Sequence, residues 1–158
     1  MASAHERALA MKEIVGHGDD DVAALQGCTE ILIGNVGHLM MAIQQKLLKG
    51  PGEEYLFDDD PDAAEAFGAQ LSDFVMKSST GNFSEEYCEF VANFASRVNP
   101  KPPLSAFVAT VGIIGTWITE SLTNAIKDDP EKLSKMLSAW QKLLAINLEL
   151  LTTDYSKS

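Results

Sequence analysis

Apolar residues recur every three or four positions along most of the chain, which is the period of an amphipathic helix. The longest apolar stripe lies near the C-terminus and comprises Leu133, Met136, Leu137, Trp140, Leu143, Leu144, Leu148 and Leu151. The segment before it carries a second stripe, of Phe107, Val111, Ile114, Ile118 and Leu122. No two alternating segments are joined by hairpin turn residues. The pattern therefore predicts an all-α fold.

Glycines and aspartates mark the ends of the first predicted helices. A short helix over 4–15 is followed by the glycines of Gly16–Gly18, which end it. The second helix begins near Asp21, with acidic residues at the positive end of its dipole, and continues to Lys49. The sequence Gly-Pro-Gly at Gly50–Gly52 then ends it.

Four further helices are predicted, over 61–77, 84–98, 103–127 and from Pro130 towards the C-terminus. Asn82 and Glu85 have the spacing of a capping box at the second of these. Prolines within Asn99–Pro103 end that helix, since proline lacks a backbone donor. Asp129 followed by Pro130 predicts the start of the last helix.

Composition and charge exclude several partner classes. The chain has 158 residues, enough for one domain, and a net charge of −11. A strongly acidic protein is a poor partner for nucleic acid or for an anionic membrane surface. The most apolar run, 106–118, is shorter than the roughly 20 residues that span a bilayer. The N-terminus lacks the apolar core of a secretion signal, and the two cysteines make no disulfide framework, so we expect a cytoplasmic location.

Motifs for catalysis and metal binding are absent from the sequence. It contains no nucleophile elbow, phosphate-binding loop, zincin motif or dinucleotide fingerprint. No group of histidines, cysteines or acidic residues has metal-ligand spacing. We therefore expect a binding protein rather than an enzyme, with no metal site.

Three sequence segments resemble the sensor-globin family, which includes the globin-coupled sensors and the protoglobins. They are "DDDVAAL" at the start of the second helix, "GNFSEEY" before the 84–98 helix, and the final "DPEKLSKMLSAWQKLLAINLELLTTDY". The resemblance covers residues 14–155. It implies a globin-like fold with an N-terminal helix or arm over 1–17 and a sensor domain over 18–158. It also implies a homodimer formed through the two C-terminal helices.

The resemblance also exposes a departure at the iron ligand. The family holds haem through a proximal histidine, whose register here falls within 95–98, and no histidine occurs there. The distal tyrosine of the family is replaced at Ile43–Gln44. Some relatives that lack these ligands are associated with bilin synthesis. We therefore expect a tetrapyrrole ligand, with an open-chain bilin favoured over haem as cofactor and chromophore.

A bilin needs an apolar slot with aromatic walls and a cation for its propionates. We place this slot between the 62–77 and 84–98 helices. Its candidate residues are Phe74, Phe94 and Phe107 as walls and Arg97 and Lys101 as carboxylate partners. Arg97 follows Phe94 by three positions, so on a helix both side chains would face the same slot.

Three other residues are weaker candidates. Cys88 could attach a bilin through its thiolate or could be a small buried residue. His38 could be a solvent-exposed residue or an unusual distal iron ligand, and Gln44 lies near the distal position. The alternatives to bilin binding are a fatty-acid-binding or ligand-free regulatory module and a haem sensor ligated through His38.

Overall fold

Helices make up most of the described chain. The computed structural model describes residues 2–43, 45–46, 61–79, 83–98, 101–102 and 104–156, and within these ranges it contains no strand. The α-helices are α1 Ala4–Val15, α2 Asp19–Ile43, α3 Pro61–Ser78, α4 Glu85–Ala92, α5 Leu104–Ile126, α6 Pro130–Leu151 and α7 Thr153–Ser156. A 3-10 helix, Ala95–Arg97, lies between α4 and α5. The all-α prediction is confirmed.

Three helices form the centre of the domain. The helices α2, α5 and α6 pack against one another, α3 packs on α2, and α1 lies across α4 and α6. The apolar stripes predicted for α5 and α6 supply much of the core, including Phe107, Ile118, Trp140 and Leu143. Each such side chain contributes roughly 1.5–3 kcal/mol by leaving water. The indole Nε1 of Trp117 also donates to the backbone oxygen of Asn35, at 3.1 Å, which joins α5 to α2.

Helix caps follow the local sequence at most ends. Ser3 and Glu6 form a capping box on α1, and Gly16 ends α1 in a left-handed conformation with φ 74°. Asp129 accepts a hydrogen bond from the Lys132 amide, as predicted. The cap of α4 is Ser84, which accepts from the Tyr87 amide at 3.1 Å, and this corrects the prediction of Asn82. Asn82 itself lies outside the described residues.

The helix predicted over 84–98 is interrupted. The α-helix ends at Ala92, and the chain turns at Asn93 before the 3-10 helix. The Glu89 backbone oxygen accepts from both the Asn93 amide, at 3.1 Å, and the Asn93 side chain, at 2.9 Å, so it is the last acceptor of a regular helical bond before the turn. The Phe94 amide then bonds to Val91, three residues back, which tightens the turn.

Several predicted helix ends lie outside the described residues. The α-helical part of the second helix ends at Ile43, and Gln45 and Lys46 are π-helical. Lys49 and the break at Gly50–Gly52 lie outside the described residues. Within the break at 99–103, Lys101 and Pro102 alone are described. No helix among the described residues is long and apolar enough to cross a membrane.

Candidate functional site

The three predicted wall residues come together in one aromatic cluster. The ring centroids of Phe74 and Phe94 are 5.3 Å apart, and those of Phe94 and Phe107 are 5.8 Å apart. Phe67 joins the cluster through Phe107, at 6.0 Å. All four rings are buried, and they bring α3, the turn after α4 and α5 together. The three residues predicted to wall one slot therefore pack against one another, and their role in a ligand site stays a prediction.

The described residues around this cluster leave little open space. They enclose a cavity of about 10 Å³, lined by Leu71, Phe74, Phe94, Phe107, Thr110, Val111, Ile114 and Leu151. A single water needs about 10–15 Å³, and a cavity that binds a small molecule commonly measures roughly 300–1,000 Å³. A tetrapyrrole can therefore enter this part of the core only if aromatic side chains move apart.

The stretch at the proximal register offers no iron ligand. Ala95 and Val98 are buried, while Ser96 and Arg97 are exposed on the 3-10 helix. The histidines lie elsewhere: His5 in α1, His17 between α1 and α2, and His38 exposed on α2.

None of the three histidines lines the aromatic cavity. Within the described ranges, no three histidine, cysteine or acidic side chains could jointly hold a metal ion. The residues at the proximal register therefore do not fit a haem held through a proximal histidine.

Arg97 and Phe94 do not share a slot, contrary to the expectation from a continuous helix. Phe94 is fully buried in the aromatic cluster, whereas Arg97 lines an open cleft of about 420 Å³ whose other charged residues are Lys77, Glu86 and Glu89. The two residues remain three apart within the 3-10 turn, where the Arg97 amide donates to the Phe94 backbone oxygen at 3.1 Å. They differ in where their side chains end, because the Phe94 ring packs in the core and the Arg97 guanidinium lies at the surface.

Phe90 connects the cluster to this cleft. Its ring centroid lies 5.9 Å from that of Phe94 and 5.0 Å from the Arg97 guanidinium carbon. The Lys77 Nζ lies 4.1 Å from the same centroid and also pairs with Asp73 at 3.1 Å. Two cations thus lie against one aromatic ring at the edge of the cluster. Sequence reasoning missed Lys77 and Phe90, because no local spacing relates α3 to α4.

Lys101 lies at a different place from Arg97. Its Nζ is 4.5 Å from the ring centroid of Tyr155, whose hydroxyl donates to the backbone oxygen of Pro102. The Tyr155 ring also contacts Phe107, at 6.0 Å. Lys101 therefore reaches the aromatic cluster from the side of the C-terminal residues and does not line the Phe90 cleft.

Cys88 is fully buried and faces α1. Its Sγ lies 4.0 Å from Nδ1 of His5 and 3.8 Å from the backbone oxygen of Phe83. Burial raises the pKa of the Cys88 thiol to about 11, so the thiol is protonated at neutral pH and is a weak nucleophile. Gln44, the other distal candidate, lies outside the described residues.

A closed network of three buried polar side chains lies between α3, α4 and α6. The Tyr87 hydroxyl donates to Oδ1 of Asn147 at 2.9 Å, and Nδ2 of Asn147 donates to Oγ of Ser78 at 3.3 Å. Ser78 Oγ and the Tyr87 hydroxyl are 2.7 Å apart. Burial raises the pKa of Tyr87, so its hydroxyl remains a donor. The sequence signal was Asn147, a polar residue within the apolar sector of α6.

Comparison with known proteins gives one family match and no curated relative. The family model described as Protoglobin matches residues 4–158, which includes α1 as well as the helices that form the core. No curated protein matches the chain. The match agrees with the all-α architecture and with the resemblance in the sequence. The chain belongs to the Protoglobin family.

Proposed function

We propose that this protein is a non-catalytic globin-fold protein that binds a tetrapyrrole, and that it prefers an open-chain bilin to haem. Haem is the ligand typical of the family. One observation carries the preference for a bilin: residues 95–98 offer no imidazole, while the aromatic cluster of Phe74, Phe94 and Phe107 beside them is intact. A bilin uses aromatic walls and needs no axial ligand.

The cleft beside Phe90 supports a role in holding the carboxylates of such a ligand. Arg97 can form two parallel hydrogen bonds to a carboxylate, and Lys77 adds a second positive charge near the same ring. Phe90 lies between these cations and the buried Phe94. A ligand that enters the cluster past Phe90 would thus leave its propionates beside Arg97, at the protein surface.

A groove between α5 and α6 supports a homodimer. The groove measures about 600 Å³ and is lined by Val111, Gly112, Gly115, Thr116, Thr119, Glu120, Gln141, Leu144, Ala145 and Leu148. Small side chains on a helix allow the backbone of another helix to approach closely. Val111, Leu144 and Leu148 offer apolar area to the partner. We propose that a second copy of this chain packs its own α5 and α6 here.

The two buried, unpaired cysteines support a reducing cytoplasmic location for the proposed dimer. Both thiols are enclosed by the helices around them, so neither is placed for a bond between subunits.

A second function is favoured by the small size of the aromatic cavity. A cavity of about 10 Å³ is what a regulatory module without a tetrapyrrole would have, and its apolar lining would also suit an acyl chain after side-chain movement. In this reading the protein would act through contacts with a partner. The haem alternative through His38 has less support, because that side chain is exposed on α2.

Titration of the purified protein with three ligands separates these functions. Biliverdin, haemin and palmitate are added to separate samples, and binding is followed by absorption, or by displacement of a fluorescent fatty acid for palmitate. We expect saturable biliverdin binding with a red shift, and no spectrum of a histidine-ligated globin with haemin. Saturable palmitate binding without a biliverdin response would favour the regulatory module.

His38→Ala serves as the control for the haem alternative. A haemin spectrum that disappears in this variant would assign the iron ligand to His38. A haemin spectrum that persists in the variant would contradict the argument from the proximal register.

A further inference from the structure

His17 is a buried imidazole whose ring nitrogens both lack a hydrogen-bond partner. The residue is 7% exposed, and neither Nδ1 nor Nε2 finds a partner among the described residues. Buried polar atoms are nearly always paired, so such an exception calls for a physical explanation. The sequence Gly-His-Gly indicated a loop residue, and the burial of its ring was not predicted.

Local geometry turns the His17 ring inward. Gly16 ends α1 in the left-handed conformation, and the amide of His17 donates to the Lys12 backbone oxygen at 2.9 Å. The residue after such a glycine commonly makes an apolar contact with the last turn of the helix. Here an imidazole takes that place, and its ring meets Phe83 edge to face at a centroid distance of 5.2 Å.

The charged groups that face His17 come from three helices. Lys12 on α1 and Lys142 on α6 oppose a positive charge on the ring, while Asp21 on α2 favours one. Asp21 is already engaged: its carboxylate accepts from Lys142 Nζ at 3.1 and 3.2 Å and from the Gly18 amide at 2.9 Å. In the segment before α4, the residue that contacts the His17 ring is Phe83, which carries no charge. The Lys12 Nζ lies 5.8 Å from the centroid of the Phe83 ring.

We propose that His17 is a pH-sensitive latch for the N-terminal helix, which holds α1 against α4 and α6 while neutral and releases it when protonated. The neutral ring packs on Phe83 as an apolar group would. The protonated ring would place a third cation beside Lys12 and Lys142, in a site that is 7% exposed. His17 lies in the turn that connects α1 to α2. Release of α1 would therefore expose the protonated ring to water and reduce its repulsion by the two lysines.

The direction of the pH dependence follows from the environment of the ring. Burial, the largest effect, lowers the pKa of His17 from its usual 6.5 and outweighs Asp21, which raises it. Lys12 and Lys142 lower it further, and a weak contact of the ring with the backbone of His17 itself raises it. The released state therefore takes up a proton near pH 6.5, before the docked state does. Docking is fully stable above that pH and weakens as the pH falls towards the lower pKa of the docked state. One proton makes the opening equilibrium up to tenfold more favourable per pH unit.

Release of α1 would uncover a second reporter, Cys88. This thiol lies beside His5 of α1, whereas Cys28 lies in α2, with its Sγ 3.2 Å from the backbone oxygen of Ala24. Both cysteines are fully buried in the docked domain. A reagent that reacts with thiols at acidic pH should therefore modify Cys88 faster when α1 is released, while Cys28 provides the internal control.

The test compares the wild type with His17→Phe, with His17→Leu as a second apolar replacement in case the first does not fold. Hydrogen exchange of α1 and modification of Cys88 by dithiodipyridine are measured at pH 7.5 and pH 5.5, and exchange is expressed as protection factors. His5→Gln and His38→Gln test the other histidines.

In the wild type we expect α1 protection to fall by up to about tenfold at pH 5.5, with faster Cys88 modification and unchanged protection of α5. Both apolar variants should lose this pH response, and both glutamine variants should keep it. The proposal is wrong if α1 protection in the wild type does not change with pH, or if the change persists in a folded apolar variant. Loss of the response in His5→Gln would assign it to that residue instead. Because no ligand is used, this result is independent of the proposed tetrapyrrole function.

Discussion

The Tyr87 hydroxyl and the Asn147 side chain, 60 positions apart in sequence, meet at 2.9 Å in the interior of the domain. Ser78 completes the network, so each of the three side chains donates one hydrogen bond and accepts one. The network joins the end of α3 to α4 and α6. It provides buried polar groups with partners and gives the packing of these helices a defined register.

Removal of one member should destabilise the fold. Tyr87→Phe removes one hydroxyl and should lower the free energy of unfolding by about 1–2 kcal/mol. Asn147→Ala leaves two hydroxyls without their partner and opens a cavity, so about 3 kcal/mol is expected. Urea unfolding measures both changes, with the exposed Asn124→Ala as the control. Losses equal to that of the control would mean that the network does not stabilise the fold.

Tyr87 should also set an alkaline limit to stability. Burial raises its pKa in the folded protein, so the folded state keeps a proton that the unfolded state loses above about pH 10. Stability from this residue is thus present below pH 10 and declines as the pH rises further. Absorption at 295 nm should show that one of the three tyrosines ionises together with the loss of circular dichroism. Ionisation of every tyrosine near pH 10 with native circular dichroism would contradict the assignment.

Charge reversal at Arg97 should weaken a carboxylate ligand without affecting the fold. Arg97→Glu replaces a charge-assisted hydrogen bond with repulsion and should cost about 2 kcal/mol or more, roughly a 30-fold rise in the biliverdin Kd. The side chain is exposed, so the melting temperature without ligand should change little. Lys127→Glu makes the same charge change at another exposed position. Equal Kd values for the two variants would remove Arg97 from the site.

A bulky residue at Gly112 should separate the proposed dimer. A Cβ at Gly112 would meet no atom within 4 Å in the single chain, and the same holds at Gly34 on α2. Both positions therefore have open space for a Cβ in the monomer, and the loss of a glycine from a helix stabilises it by up to about 1 kcal/mol. Gly112→Leu should shift sedimentation towards the monomer, whereas Gly34→Leu should not. Equal sedimentation of the two variants and the wild type as dimers would place the interface elsewhere.

The parts of the fold that depend on local signals were predictable from sequence. Gly16 and Asp129 act within one helical turn, and the periodic stripes of α5 and α6 indicated which faces are buried. The break after Ala92 was missed, because no glycine or proline marks it in the sequence.

In the candidate site, too, the residues with a local sequence signal were predictable and the contacts between distant helices were not. Phe74, Phe94 and Phe107 were identified because apolar periodicity predicts burial, and buried aromatic residues of neighbouring helices meet. Lys77 beside Phe90, and Tyr87 beside Asn147, join distant helices and have no local signature. Their positions depend on how helices cross, which periodicity does not specify.

The absorption spectrum of the protein, purified after expression with and without bilin synthesis in the same host, tests the central claim most directly. The claim is that the aromatic cluster takes a tetrapyrrole and that residues 95–98 provide no iron ligand. We predict a sharp, red-shifted bilin band with bilin synthesis, and no band of a histidine-ligated haem in either preparation. A colourless protein from the bilin-producing host, or a haem band of that type from either host, would contradict it.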